Sequence, residues 1–95
     1  MAVGIFFEVP GAGREEYDQV MDKLGPSVPG RIFHAAGPYE EGWRVIDVWE
    51  SQEAFEAFLA ERLIPVARQV GFFASLPMSF PVYNMVQGWE TPERS

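Results

Sequence analysis

The order of predicted elements along this chain is strand–helix–strand–strand–helix–strand, which predicts an α+β fold of the ferredoxin-like βαββαβ type. Short β-branched and aromatic runs bounded by Gly and Pro predict the strands, and two stretches with helical spacing predict the helices. A length of 95 residues allows one domain. Right-handed crossovers place both helices on one face of a four-stranded antiparallel sheet. We expect this domain to span residues 1–88 and a polar C-terminal tail to span 89–95.

The first strand and the first helix are predicted by composition and spacing. Residues 3–9 (VGIFFEV) are apolar and β-branched, and Pro10 and Gly11 end the run. Residues 14–24 follow as a helix, because apolar side chains recur there at i, i+3, i+4 and i+7, namely Tyr17, Val20, Met21 and Leu24.

A hairpin is predicted next. Residues 31–36 and 43–50 are expected to be antiparallel strands, with residues 37–42 (GPYEEG) as the turn between them. If Gly37 pairs with Gly42, the numbers of paired residues sum to 79.

The second helix and the last strand complete the order. Ser51 is the expected N-cap of a helix whose apolar stripe includes Phe55, Phe58 and Leu63. Pro65 removes an N–H and crowds the carbonyl of Glu61, so we expect a kink or break there. Residues 80–87 are predicted to be the fourth strand.

The strands are apolar on both faces, which predicts a homodimer. A sheet covered by helices on one face should alternate apolar and polar residues. The first strand is instead apolar at Ile5, Phe6, Phe7 and Val9, and the third at Trp43, Val45, Ile46, Val48 and Trp49. A second copy on the helix-free face is the simplest cover.

Charge and composition argue against several classes of partner. The net charge of −7 repels phosphate backbones and anionic lipid, so we expect neither nucleic acid nor membrane as a partner. No basic leader is evident at the N-terminus, and we expect a cytoplasmic location. With one histidine and no cysteine, neither thiolate chemistry nor a metal site is expected.

The best candidate for a catalytic group is His34. In the predicted register it faces Val45, with Trp43 and Asp47 on its diagonals and Trp49 on the same face. A histidine beside a carboxylate and walled by indoles suits a general base. The alternative is a packed histidine with a structural hydrogen bond at the sheet edge.

The other candidates have alternatives too. A catalytic Asp47 needs a partner when buried, and a salt bridge to Arg31 or Arg44 is equally compatible with the sequence. Asn84 is a candidate for holding a substrate oxygen or an oxyanion, or it satisfies backbone groups in a bulge. The candidate substrate-binding residues are aromatic and are also typical of a core: Trp43, Trp49, Tyr83 and Phe6.

Several segments of the chain resemble a known family. They are residues 42–51 (GWRVIDVWES), Phe55, Phe58 and 63–65 (LIP) after them, His34 one strand earlier and 82–84 (VYN) near the end. They are similar to the dimeric α/β-barrel superfamily, and within it to small proteins grouped with antibiotic-biosynthesis monooxygenases. The resemblance implies a back-to-back sheet dimer with a pocket between each sheet and its helices. It also implies a range of activities, which includes cofactor-free oxygenases, isomerases, cyclases and haem-handling enzymes.

We therefore expect a small-molecule enzyme that acts on a hydrophobic, aromatic or polyketide-like substrate, in one version as a monooxygenase without a cofactor. An isomerase or cyclase would use the same residues without oxygen. The alternative of a different class is a non-catalytic dimeric module that binds a hydrophobic ligand or simply assembles. Haem ligation by His34 has no support in the sequence beyond that single residue.

Overall fold

A computed structural model describes residues 1–86 and confirms the predicted chain order. The sheet is antiparallel with strand order β2-β3-β1-β4. None of the helices in this part of the chain is long and apolar enough to cross a bilayer. The elements are β1 (Val3–Pro10), α1 (Arg14–Leu24), β2 (Arg31–Tyr39), β3 (Gly42–Trp49), α2 (Gln52–Phe58), a π-helical turn (Leu59–Leu63), α3 (Ile64–Val70) and β4 (Met78–Pro81).

The core lies between the sheet and the helices. Alternate residues of the two central strands, β1 and β3, point into it, and α1 and α2 close it from one side. The buried apolar residues are Val3, Ile5, Phe7, Val9, Val20, Leu24, Val45, Trp49, Phe55, Phe58 and Phe72. The helix-covered face of the sheet is therefore the place where a buried polar group needs an explanation.

Side chains satisfy the backbone at the helix ends. The carboxylate of Glu16 accepts from the N–H of Gly13 at 2.9 Å, ahead of α1, and these backbone bonds lower the pKa of Glu16. Ser51 is the N-cap of α2, as predicted, and its Oγ accepts from the N–H of Ala54 at 3.0 Å. Arg62 donates to the carbonyl of Leu24, the last residue of α1, at 2.6 Å and to that of Ser27, in the loop that follows, at 3.0 Å.

The second helical segment is interrupted where Pro65 predicts. The π-helical turn Leu59–Leu63 comes directly before α3, and Pro65 lies in the first turn of α3. The wider i→i+5 turn accommodates a proline that has no N–H to donate and that would clash with the carbonyl four residues earlier. Gly71 ends α3 in the left-handed conformation, with φ 87°.

The predicted hairpin register was wrong by two residues. Tyr39 pairs with Gly42, so only Glu40 and Glu41 form the loop and paired residue numbers sum to 81. Gly37 and Pro38 were interpreted as turn residues but belong to β2. Because β2 is an edge strand, the missing N–H of Pro38 costs no interior hydrogen bond.

The predicted fourth strand was placed too late. It spans Met78–Pro81, and residues 82–86 form no strand. Val82 donates one further backbone bond to Ala2 at 2.9 Å. Gln87 and the predicted tail, 89–95, lie outside the described residues, as does residue 88 at the predicted domain boundary.

The helix-free face carries large exposed apolar side chains, as predicted, beside the charged pair Arg44 and Glu8. Four large side chains there are roughly half exposed, namely Phe33 (45%), Ile46 (47%), Phe80 (58%) and Met78 (66%). The ring of Phe80 lies directly over Gly4, so a side chain at that position would require the ring of Phe80 to move.

Candidate functional site

The only histidine of the chain lies directly opposite an aspartate in the sheet. His34 of β2 pairs with Asp47 of β3, so both side chains point to the helix-covered face. Nδ1 of His34 is 2.6 Å from Oδ1 of Asp47, whose side chain is 4% exposed. A register error of one residue would have sent these side chains to opposite faces, whereas the error of two leaves the predicted pair together.

Trp49 holds the second oxygen of this carboxylate. Its indole Nε1–H donates to Oδ2 of Asp47 at 3.1 Å, and the residue has no exposed surface. Phe55 and Phe58 fix the indole from α2, with ring centroids 5.7 and 5.0 Å away. Each carboxylate oxygen thus has a hydrogen-bond donor, which offsets the cost of burying a charge.

The arginine partners considered for Asp47 do not pair with it. Arg44 lies on the opposite face of the sheet, where its guanidinium bonds Glu8 at 2.8 Å and stacks over Tyr39 at 4.3 Å. Arg31 forms no ion pair with Asp47 within residues 1–86. The partners of Asp47 are therefore an imidazole and an indole.

Tyr17 is the member of this cluster that the sequence analysis missed. Its hydroxyl lies 2.5 Å from Nε2 of His34, and the two rings are parallel to within 2°. Burial raises the pKa of Tyr17 above its ordinary value of 10.0, with the charge of Arg31 opposing this and that of Asp47 adding to it. The hydroxyl is consequently protonated at neutral pH.

The hydrogen-bond roles in the cluster follow from the carboxylate. An ionised carboxylate can only accept, so Nδ1 of His34 carries a hydrogen and donates it to Asp47. In the neutral imidazole Nε2 is then an acceptor, and the Tyr17 hydroxyl donates to it. This assignment rests on the network of partners. We name the three groups the Tyr17–His34–Asp47 relay.

Two aromatic side chains pack near the ring of Tyr17. Trp43 and Phe72 lie with ring centroids 5.4 and 6.4 Å from that of Tyr17. Nε1 of Trp43 is buried and has no hydrogen-bond partner within the described part of the chain. A cavity of about 20 Å³ borders Tyr17, His34 and Asp47, which is room for about one water molecule.

A larger apolar cleft lies next to this small cavity. It has a volume of about 270 Å³ and is bounded by the π-helical turn, α3 and residues 71–77. Phe7, Leu63 and Phe72 line both spaces, so the cleft and the small cavity at the relay are neighbours that share these side chains. Ser75 anchors the segment 71–77 to β1, since its N–H and Oγ both bond the backbone of Glu8, at 2.7 and 3.1 Å.

Three of the predicted site residues are not brought to the relay. Phe6 lies on the helix-free face, across the sheet. Tyr83 and Asn84 are exposed and follow β4, which is at the opposite edge of the sheet from the strand that holds His34. Their roles, and those of the residues that do meet at the relay, stay predictions.

Within residues 1–86 no cluster of three or more His, Asp or Glu side chains is arranged to hold a metal ion. Both ring nitrogens of His34 are already engaged. The relay therefore combines a buried carboxylate, an oriented imidazole and a phenol, which is a set suited to moving a proton.

Solved structures share this fold over nearly the whole chain. SnoaB from Streptomyces nogalater, a cofactor-independent oxygenase, is 16% identical with a TM-score of 0.63, covering 92% of this chain and 97% of that one. A candidate antibiotic biosynthesis monooxygenase from Chloroflexus aurantiacus J-10-fl is 13% identical with a TM-score of 0.65, covering 93% and 100%. A point mutant of MhuD, with two manganese protoporphyrin IX bound per active site, is 24% identical with a TM-score of 0.63, covering 93% and 100%.

These matches confirm the predicted fold, which is the ferredoxin-like fold of antibiotic-biosynthesis-monooxygenase proteins. No protein-family model matches the chain, and no curated protein sequence matches it.

The relay does not fit the axial ligation of a haem. His34, the only histidine, would have to break its bond to Tyr17 or to Asp47 before a ring nitrogen could reach iron, and the chain has no cysteine.

Proposed function

We propose that this chain is a small-molecule enzyme that removes a proton from a hydrophobic, aromatic or polyketide-like substrate. The observation that supports it most is the Tyr17–His34–Asp47 relay, which lies in the core beside an apolar cleft. The stability of a hydrophobic core of this size does not require a buried carboxylate, because apolar residues could replace a His34–Asp47 pair whose role was only structural. A buried acid that orients a histidine is the arrangement a general base requires.

The proton moves along the relay in this mechanism. The hydroxyl oxygen of Tyr17 takes the proton of an acidic C–H or phenolic O–H of the substrate while its own proton passes to Nε2 of His34. The ionised carboxylate of Asp47 stabilises the imidazolium that forms, because Nδ1 already donates to it at 2.6 Å. Substrate reaches Tyr17 from the cleft when Phe72 or Leu63 shifts.

In the oxygenase version the substrate carbanion reacts directly with O₂. It passes one electron to O₂, the radical pair combines to a peroxide, and loss of water leaves a carbonyl where a CH₂ group had been. One oxygen atom of O₂ enters the product and the other leaves in water with the two hydrogens of that CH₂ group. The step therefore requires no cofactor and no further reductant.

An isomerase or cyclase is the variant of this proposal without oxygen. The same proton removal gives an enolate, which is reprotonated at another atom or attacks a second carbonyl of the substrate. Oxygen uptake distinguishes the two versions, because only the first consumes O₂.

A second candidate is a non-catalytic module that binds a hydrophobic ligand. It is favoured by one observation: none of the residues that line the apolar cleft belongs to the relay. In this case the relay is a structural network, and ligand binding requires only the cleft.

The test uses a panel of dihydroxy-aromatic and anthrone-type compounds, with oxygen uptake and product formation as readouts. We expect Tyr17→Phe and His34→Gln to lower turnover by about 10²-fold or more, as for other general acid–base groups. The matched control is Tyr39→Phe, since Tyr39 lies in the hairpin on the helix-free face. Unchanged turnover in the relay variants would contradict the proposal. Saturable binding without turnover of any compound would support the binding module instead.

We also propose that the chain forms a homodimer through the helix-free face. The exposed apolar side chains of Phe33, Ile46, Phe80 and Met78 support this, because burying an apolar patch of that kind against a second copy removes it from water. We expect sedimentation to give twice the chain mass at micromolar concentration and Ile46→Glu to give a monomer. The control, Gln69→Glu, adds the same charge to an exposed position on α3. A folded wild-type monomer would refute this assembly.

A further inference from the structure

Among residues 1–86, one ionisable side chain lines the apolar cleft, and it is a cation. Twelve of these residues line the cleft, of which ten are apolar and the other two are Arg68 and Ser75. None of the aspartates and glutamates in this part of the chain lines it, although the full chain has 14 acidic and 7 basic residues and a net charge of −7.

Within residues 1–86, Arg68 has no charged partner that would explain its position. On a helix, carboxylates three or four residues away are the usual neighbours of an arginine. The four such neighbours of Arg68 are uncharged: Ile64, Pro65, Gly71 and Phe72. Arg68 forms no ion pair within residues 1–86.

Ser75 supplies a second polar group to the lining. Its Oγ accepts from the backbone N–H of Glu8, which fixes the oxygen but uses none of its donor capacity. The hydroxyl hydrogen is therefore available to an acceptor in the cleft. A guanidinium and a hydroxyl in an otherwise apolar wall match a molecule with an apolar body and an anionic oxygen.

We infer that the cleft selects apolar ring compounds that carry a carboxylate, and that Arg68 binds that carboxylate. This inference deepens the proposed function, on which it rests for the placement of the substrate in the cleft. The charged group stays at the exposed side of the cleft with Arg68, and the apolar body lies against the wall formed by Phe7, Leu63 and Phe72.

Calorimetric titration with two matched probes tests this. At pH 7 2-naphthoate carries the charge, and 2-naphthalenemethanol presents the same rings without it. Because Arg68 is exposed, its contribution is that of a solvent-screened pair, and we expect naphthoate to bind about three- to fivefold tighter. Raising NaCl from about 10 mM to about 500 mM should remove most of this preference and leave the alcohol unaffected.

Three variants test whether Arg68 and the cleft cause the preference for 2-naphthoate. Arg68→Gln should bring the preference close to one, and Arg14→Gln, which removes an equal charge from α1, should retain it. Ala67→Trp places an indole in the cleft and should weaken both probes.

Equal affinity for the two probes, or a preference that persists in Arg68→Gln, overturns the inference and leaves the cleft as an apolar ligand site. Binding that is unaffected by Ala67→Trp overturns it as well, since the probes would then lie elsewhere. If neither probe binds, the placement of the substrate in the cleft fails together with this inference.

Discussion

Replacing Asp47 by asparagine tests the relay with the smallest change of shape. The carboxylate accepts from His34 and from Trp49, at 2.6 and 3.1 Å, and its residue is 3% exposed. An amide has one oxygen, so it can accept from only one of these two donors while its NH₂ group faces the other. The variant thus loses one charge-assisted hydrogen bond and weakens the second.

The expected loss of stability follows from these two hydrogen bonds. A hydrogen bond to a charged group contributes about 1.5–3 kcal/mol, and an unsatisfied buried donor adds to the loss. We expect the free energy of unfolding to fall by about 2–4 kcal/mol. For a domain of 95 residues this is a decrease of roughly 10–20 °C in Tm.

Urea and thermal unfolding, followed by circular dichroism, measure this change. The control is Glu8→Gln, which removes the same charge from the more exposed ion pair with Arg44 and should cost less than about 1 kcal/mol. If Asp47→Asn costs no more than Glu8→Gln, the carboxylate is not the acceptor that holds His34 and Trp49, and the reasoning about the relay is refuted.

Three further predictions concern single side chains. Burial raises the pKa of Tyr17 in the folded chain, so Tyr17 of the unfolded chain ionises first and the free energy of unfolding falls as pH rises past the ordinary value of 10.0. Tyr17→Phe should reduce this loss of stability at alkaline pH. Equal pH profiles for the two proteins in urea unfolding would contradict the prediction. Phe72→Ala should lower the free energy of unfolding by about 3–5 kcal/mol, because Phe72 is 4% exposed, whereas Phe73→Ala, at 65% exposed, should change it by about 0.5 kcal/mol or less. Similar values for the two variants in urea unfolding would contradict the burial of Phe72 in the core. Ser51→Ala should lower the free energy of unfolding by about 1 kcal/mol, because α2 loses its N-cap. The control, Ser27→Ala, should leave it nearly unchanged, because Arg62 binds the backbone carbonyl of residue 27 and this carbonyl stays in place. Equal stabilities of the two variants in calorimetry would refute the capping role.

The sequence was sufficient for the chain order, because Gly and Pro bound each apolar run and the two helical stripes are regular. It failed at Gly37 and Pro38, since both residues favour turns and only the edge position of β2 makes them acceptable in a strand. It also failed after Pro81, where Val82 and Tyr83 have high β propensity but no neighbouring strand continues the ladder.

The juxtaposition of His34, Asp47 and Trp49 could be predicted because side chains alternate along paired strands, so an error of two residues leaves the face unchanged. Tyr17 could not be assigned in the same way. On a helical stripe its ring counts as apolar, and its hydroxyl meets His34 only through the packing of α1 on the sheet. The signal available was that Tyr17 is the one hydroxyl-bearing residue of that stripe.

The apolar cleft was beyond sequence reasoning for another reason. Its walls come from the π-helical turn, α3 and residues 71–77, and their spacing depends on the wide turn before Pro65 and on the anchoring of Ser75 to β1. Neither feature has a periodic pattern. The resemblance to known monooxygenases implied a pocket between sheet and helices without indicating which residues line it.

The nitrogen-15 chemical shifts of the imidazole test the relay most directly, and a single histidine gives a single pair of signals. At neutral pH we predict that Nδ1 of His34 is protonated and that Nε2 is not, because Nε2 must accept from Tyr17 if the ring is to receive a proton. A hydrogen on Nε2, in either the neutral or the charged ring, would contradict the assignment of His34 as the base.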